Sequence, residues 1–238
     1  TFGGPGVVGL QEINVDVPRD FIWPPSGGGP VQVLDDSVLW NQPERIAKGI
    51  GDDWDSYFGF TRGNQLGRGG NALITNIDYA KAGEELFAFD PEYPEWWGGI
   101  HNRGMTRAKL DFGQGRRLWV VTTHIGGGDD RGEVAMRQLF ELLGHVKRYR
   151  HDYPVVVMGD FNIRDGYSKH AESYASLNTL MVEDVSGFRK VVERNRVHIY
   201  LYDPLNKLEE IDAGDMFAKS GDIQFSDHHV VWARFVWR

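Results

Sequence analysis

The chain's 238 residues suit one large domain or two small ones and suffice to bury a full core. Its composition, 41% hydrophobic and 25% charged, is globular, and its formal charge of −8 argues against a protein that coats nucleic acid by bulk electrostatics, although a local basic cleft stays open. Without cysteine, disulfides and thiolate metal sites are excluded, and apolar runs such as 118–121 and 155–158 are far too short to span a bilayer.

In chain order, Val7-Val8-Gly9-Leu10 reads as a strand ending in Gln11-Glu12, followed by a loop over 14–30 rich in Pro and Gly. Asp35 or Asp36 is placed to cap a short helix running toward Ile50. Segments 57–60, 72–75 and 86–89 are short and strand-like, and the turn chemistry between them implies a mostly antiparallel meander. Segments 108–112 and 118–123 flank Gly113-Gln114-Gly115-Arg116, a hairpin signal, and the second delivers His124 at its end. From Glu133 to Arg150 the apolar positions Ala135, Leu139, Leu142, Val146 and Tyr149 follow helical spacing, and Pro154 closes the segment before the strand Val155-Val156-Val157-Met158. Segment 177–182 reads as a short helix or strand, 197–202 as a strand, and 230–236 as the last strand. Strands outnumber helices and the helices lie between them, which predicts a layered α/β sandwich with sheets inside and helices outside.

Chemistry gathers at the strand ends. Gly159-Asp160-Phe161-Asn162 follows the strand at 155–158, and alternate residues of an extended segment point the same way, so Asp160 and Asn162 are expected to face one spot. A carboxylate takes a proton or holds a cation, and a carboxamide donates to developing negative charge, a pairing suited to phosphate-ester hydrolysis. An ordinary turn also uses Gly, Asp and Asn. Glu12, His124 and Asp227 with His228 likewise follow apolar runs, and strand ends of a sandwich share a rim where residues distant in sequence converge. Oxygen ligands without thiols point to Mg²⁺, Mn²⁺ or Ca²⁺ rather than structural zinc.

In order, Val7-Val8-Gly9-Leu10-Gln11-Glu12, Gly70-Asn71-Ala72-Leu73-Ile74-Thr75, Thr122-Thr123-His124, the Arg137-Gln138 pair, Gly159-Asp160-Phe161-Asn162 and Ser226-Asp227-His228 resemble the motifs of the endonuclease/exonuclease/phosphatase superfamily. That superfamily includes pancreatic deoxyribonuclease, abasic-site endonucleases, neutral sphingomyelinases and inositol-polyphosphate phosphatases. The resemblance covers nearly the whole chain and implies a four-layered α/β sandwich of two packed, mainly antiparallel β-sheets flanked by helices. It implies that residues 1–238 form a single domain of this type, without the usual first strand, which in relatives ends in Asn ahead of the Gln-Glu motif.

The resemblance also implies roles. Glu12 would be the principal metal ligand, normally for Mg²⁺, with Asp227 a possible second. Asp160 would orient or deprotonate the attacking water, Asn162 would bind a phosphoryl oxygen, and His124 and His228 would hold the phosphate and stabilise charge. Arg103 sits where many relatives carry an Arg-Gly pair, and its guanidinium would fork onto phosphate oxygens. The activity implied is divalent-metal-dependent hydrolysis of a phosphate mono- or diester by direct water attack. Gly70-Asn71-Ala72-Leu73-Ile74 looks more like the sphingomyelinase and phosphatase branches than the abasic-site endonucleases. The substrate class stays open among a lipid, an inositol phosphate and nucleic acid, with a DNA endo- or exonuclease as the alternative. Trp96 and Trp97, in an aromatic loop, could give peripheral membrane contact.

One strand departs from the pattern. Arg196-Val197-His198-Ile199-Tyr200-Leu201 aligns with the family's Arg-Ile-Asp-Tyr-Ile, so His198 stands where an Asp usually supports the final histidine. An imaginable consequence is a catalytically silent relative that serves as a binding module, and Asp212 is the other candidate for the Asp.

Overall fold

A computed structural model describes residues 4–15, 17–18, 39–64, 67–88, 103–126, 133–163, 187–220 and 223–238; for 12–15, 17–18, 39–40, 62–64, 67–68, 133, 217–220 and 223–229 it describes the backbone alone. The order is β1 (Val7–Val15), β2 (Val17–Pro18), β3 (Leu39–Trp40), α1 (Gln42–Ile50), β4 (Asp55–Asn64), β5 (Gly67–Thr75), β6 (Tyr79–Leu86) and β7 (Gly104–Asp111). There follow β8 (Arg117–His124), α2 (Glu133–Val146), β9 (Val155–Asp160), β10 (Phe188–Arg194), β11 (Val197–Tyr202), β12 (Leu208–Ser220) and β13 (Ile223–Trp237).

A six-stranded sheet ordered β10-β11-β9-β8-β7-β6 is the centre of the molecule. Its β9 is an apolar run, Val155-Val156-Val157, because side chains on both of its faces are covered. On one face α2 packs: Leu139, Leu142 and Val146 meet Trp119, Val121, Val155 and Val157. Leu139 and Leu142 are fully buried, each contributing roughly 1.5–3 kcal/mol. On the other face lies the antiparallel sheet β1-β5-β4, through a second core that includes Leu73, Ala108, Leu110, Val120 and Val156, with the β12-β13 hairpin also packed there through Val231, Ala233, Phe235 and Trp237. Helix α1 covers the outer side of β1-β5-β4. The order is therefore helix, sheet, sheet, helix, the expected four layers, with helices sparse. Among the described residues no helix is long and apolar enough to cross a membrane.

Local expectations hold where local chemistry is strong. The Gly113–Arg116 turn joins β7 to β8, with Phe112 N donating to Arg116 O, and α2 begins where expected but ends at Val146, the rest being turns. Helix α1 starts later than expected: Asn41, rather than Asp35 or Asp36, caps it by accepting from Glu44 N, and Pro43 sits in the first turn, where its missing N–H costs nothing.

Other elements differ from the sequence reading. The strand expected at 86–89 is found earlier, at Tyr79–Leu86, because this edge strand of Lys, Glu and Gly carries little apolar signal. The last strand is longer than 230–236, and β10 and β12 were not expected at all. The Glu, Asp, Gly and Ala of β12 are poor strand formers, ordered here by pairing with β13. Glu12 and Asp227-His228 consequently lie within strands and not at their ends. The sheet also has one parallel pair, β8 with β9, as expected of strands joined through a helix. Segment 177–182 and the Trp96-Trp97 loop lie outside the described residues.

Candidate active site

Two strand ends set the site. The parallel register pairs Thr123 with Gly159 and His124 with Asp160, so the last residues of β8 and β9 stand side by side. Antiparallel β7 begins at the same rim, with Gly104 opposite His124 and Arg103 just ahead of it. Antiparallel β11 begins there too, with Val197 opposite Asp160 and Arg196 just ahead. Four elements thus deliver Arg103, His124, Asp160 with Asn162, and Arg196 to one place.

Their side chains form a connected group. Asp160, 5% exposed, accepts from Asn162 N through Oδ1 at 2.7 Å, an Asx-type turn that folds the chain back after the strand. Its Oδ2 lies 3.8 Å from His124 Nε2, an ion-pair distance and too long for a hydrogen bond. Asn162 takes a left-handed backbone, φ +52°, which Asn tolerates better than other non-glycine residues. Its amide is oriented from both sides: Nδ2 donates to Ile125 O at 2.7 Å, and Oδ1 accepts from Arg196 Nη1 at 3.0 Å. The same Nδ2 lies 3.0 Å from His124 Nε2, while Arg103 Nη1 lies 2.7 Å from His124 Nδ1. A neutral imidazole has one acceptor nitrogen and an imidazolium none, so the ring cannot accept from both donors.

Neighbouring strands brace this rim. Gly104 O accepts from Thr123 Oγ1 and from Asn71 Nδ2, each at 3.0 Å, which ties β5 of the second sheet to the base of Arg103. Opposite Asn71, β1 slips register between Leu10 and Ile13, so that Gln11 and Glu12 share a bulge. Gln11 Nε2 donates to Thr122 Oγ1 at 2.8 Å across the two sheets. The backbone of Glu12 is therefore at the same rim as His124, and bulges commonly re-aim side chains beside active sites. From α2, the fully buried Gln138 accepts from Gly126 N at 2.6 Å and holds the chain just past His124.

Asp227 and His228 are placed by backbone only. They sit in β13 where the register with β12 slips between the pairs Phe217–His229 and Lys219–Gln224. Asp212 is on exposed β12, whereas His198 is fully buried, opposite Gly159. Its Nε2 faces the carbonyls of Ile163 at 3.1 Å and Asn195 at 3.3 Å, so Nε2 carries the proton and Nδ1 accepts from Tyr200 OH at 2.8 Å. The imidazole packs against Phe161, with centroids 5.2 Å apart, so His198 supports the segment that carries Asp160 and Asn162 from beneath.

Burial pushes the His198 pKa below its ordinary 6.5, against a smaller opposing pull from Glu193. A folded pKa below the unfolded one means that the stability this neutral ring contributes is complete above pH 6.5 and falls as pH drops from there toward the folded value. Urea unfolding of His198→Gln is expected to show a shallower loss of stability below pH 6.5 than the wild type; His145, whose pKa burial also lowers, keeps part of the slope. An unchanged slope would contradict a neutral buried His198.

Arg196 was not singled out from the sequence. The available signal was its position immediately before a strand that runs antiparallel to β9, which places the start of one beside the end of the other. Its backbone contributes as well, since Phe161 N donates to Arg196 O at 2.8 Å.

Among the described residues no group of three His, Asp or Glu side chains could hold a metal ion. The donors brought to this rim are a carboxylate and a carboxamide, with Glu12 placed there by backbone, and the chain has no thiolate. Such oxygen donors fit a hard divalent cation.

Helix, six-stranded sheet, three-stranded sheet and helix, with polar residues of β7, β8 and β9 gathered at one rim, define a four-layered α/β sandwich with a rim site. Solved structures identify this as the endonuclease/exonuclease/phosphatase fold, and the chain has that fold. A humanised D. rerio TDP2 superposes with a TM-score of 0.62 at 17% identity, covering 97% of this chain and 84% of that one. An endonuclease/exonuclease/phosphatase from Beutenbergia cavernae gives 0.57 at 17% identity, over 88% of this chain and 57% of that one. The mannosyl-6-phosphatase Bt3783 of Bacteroides thetaiotaomicron gives 0.51 at 14% identity, over 82% and 81%. No protein-family model matches the sequence, and no curated protein matches it.

Proposed function

We propose that this chain is a divalent-metal-dependent phosphoesterase that hydrolyses a phosphate mono- or diester by direct attack of water. The observation that carries the reading is the convergence of Arg103, His124, Asp160 and Asn162 at the adjoining ends of β7, β8 and β9. Phosphate-ester cleavage needs an in-line water, charge neutralisation on the non-bridging oxygens and help for the leaving oxygen. Asp160 is the group that orients the water and takes its proton. Asn162, its amide held by Ile125 and Arg196, donates to a phosphoryl oxygen, Arg103 supplies positive charge, and His124 holds the phosphate on the same side. By the resemblance, His228 of β13 would hold the phosphate with them. Glu12, with Asp227, would hold a divalent cation, Mg²⁺ or else Mn²⁺ or Ca²⁺, which supplies charge neutralisation when bound.

Within this class we prefer a phosphatase- or sphingomyelinase-like substrate, supported by the Gly70–Ile74 segment; the fold itself is shared by TDP2 and by a mannosyl-6-phosphatase alike. The test is turnover of p-nitrophenyl phosphate, bis(p-nitrophenyl) phosphate, plasmid DNA, sphingomyelin and phosphoinositides, each with Mg²⁺ and with chelator. Chelation is expected to abolish turnover, and calorimetry is expected to show Mg²⁺ binding that Glu12→Gln removes. No metal-dependent turnover on any substrate would overturn the enzyme reading, and cleavage of DNA alone would move it to the nuclease branch. Label from ¹⁸O water is expected in the product; its appearance in the protein would instead indicate a covalent intermediate.

A further inference from the structure

The opposite end of the six-stranded sheet carries a second concentration of charge. Arg117 begins β8 and His124 ends it, so this end lies about 20 Å from the candidate site at ~3.3 Å per residue. The topology brings several basic segments there: Lys109 near the end of β7, Arg116 in the hairpin turn, Arg150 after α2 and Lys207 before β12.

Aromatic rings lie beside all of these cations except Arg116. Lys109 Nζ lies 5.6 Å from the ring centroids of both Trp119 and Tyr153. Arg117 Cζ and Lys207 Nζ each lie 6.0 Å from Tyr153, and Arg150 Cζ lies 5.3 Å from Tyr202. Arg117 is neutralised by Asp111 at 3.0 Å, but among the described residues Lys109 and Lys207 make no ion pair, and Arg116 is exposed without one. Asp111, Asp152 and Asp203 lie in the same segments, and Asp111 attracts Lys109 as well as Arg117, so on a chain of net charge −8 the five cations Lys109, Arg116, Arg117, Arg150 and Lys207 outnumber these three carboxylates locally.

We propose that this end of the sheet is a docking surface for the phosphate backbone of nucleic acid, separate from the candidate active site. The cations are spread over several elements and do not converge on a point, which suits an extended polyanion better than a single small anion. Cation–π contacts restrict the lysine side chains in advance, so less side-chain freedom is lost when phosphates bind. The ring faces are occupied by cations, so contact is with phosphates and not with stacked bases, and binding is independent of sequence. Leu205, beside Lys207, and Val236, opposite Glu209, are large apolar side chains exposed here among the described residues, and two scattered groups insert too little into a bilayer to favour a membrane.

The test is fluorescence anisotropy with a labelled oligothymidylate of about 16 nucleotides, in chelator, on an Asp160→Asn background so that neither metal nor cleavage enters. Salt-dependent binding is expected. The triple variant Lys109→Gln, Arg116→Gln, Lys207→Gln is expected to bind about tenfold or more weakly, with a salt slope smaller by about 2, at roughly 0.7 per lost phosphate contact. Lys109→Arg with Lys207→Arg is expected to keep the affinity, and the triple variant with Asp160 restored to keep wild-type turnover of bis(p-nitrophenyl) phosphate. Absence of oligonucleotide binding, undiminished binding by the triple variant, or equal loss in the charge-retaining variant would overturn the proposal. So would tighter binding to phosphatidylserine vesicles that the oligonucleotide does not displace. The binding measurement stands whether or not the chain hydrolyses any ester, so the two proposals fail separately.

Discussion

Asp160→Asn is expected to lower phosphate-ester turnover by about 10²–10⁴-fold, the range for losing a positioned general base, while leaving the fold intact. The carboxylate is 5% exposed and its Oδ1 accepts from Asn162 N, an interaction that the amide oxygen of Asn reproduces. The turn after β9 therefore survives, and Asn162 stays oriented by Ile125 and Arg196. Under the proposed mechanism, the substitution removes the ability of Oδ2, 3.8 Å from His124 Nε2, to take a proton from water. The measurement is the rate on bis(p-nitrophenyl) phosphate with Mg²⁺, together with thermal unfolding. Activity within tenfold of wild type would show that this strand end is not the catalytic centre, whereas a large fall in melting temperature would mean that the lost activity reflects the fold.

Gly159→Ala is expected to destabilise the protein by about 3 kcal/mol or more, the range reached when backbone strain and a core clash combine. Gly159 has φ +146°, a conformation that L side chains rarely adopt, and a Cβ there would stand 1.9 Å from Thr123 O. Thr123 is its register partner in the parallel β8-β9 pair, so relief requires the central ladder to open. Gly144→Ala is the control: this glycine lies in α2 with nothing within 4 Å of the added methyl. Alanine there is expected to stabilise by roughly 0.4–1 kcal/mol, as in other compatible Gly→Ala changes. Urea unfolding of both variants checks the pair. A Gly159→Ala protein as stable as wild type would mean that the β8-β9 register, and with it the His124–Asp160 juxtaposition, is wrong.

The legible parts of the site were those with a local signature. Gly159-Asp160-Phe161-Asn162 stood out because an apolar strand runs into it, and His124 because 118–123 reads as a strand that stops there. Arg196 was harder to see, since a lone arginine before a strand is ordinary until the strand opposite it is known. His198 was visible as an odd residue in a strand, but its contacts with Tyr200 and with two main-chain carbonyls come from the strand and turns around it. The β12-β13 hairpin was half legible: apolar 230–236 signals a strand, while β12, rich in Asp, Glu and Gly, is extended because β13 pairs with it.

By itself the sequence determined the layered α/β class, the principal helix, the hairpin turn at 113–116 and the chemical character of the candidate site. These follow from hydrophobic period, turn residues and side-chain type, which act over a few residues. Tertiary structure alone decided that β8 and β9 run parallel and in a register that sets His124 against Asp160. It also decided that Arg196 orients Asn162, and that the basic segments far from the rim meet around Tyr153. Strand pairing uses backbone hydrogen bonds common to every residue, so its register is chosen by burial across the whole sheet and not by any short stretch of chain.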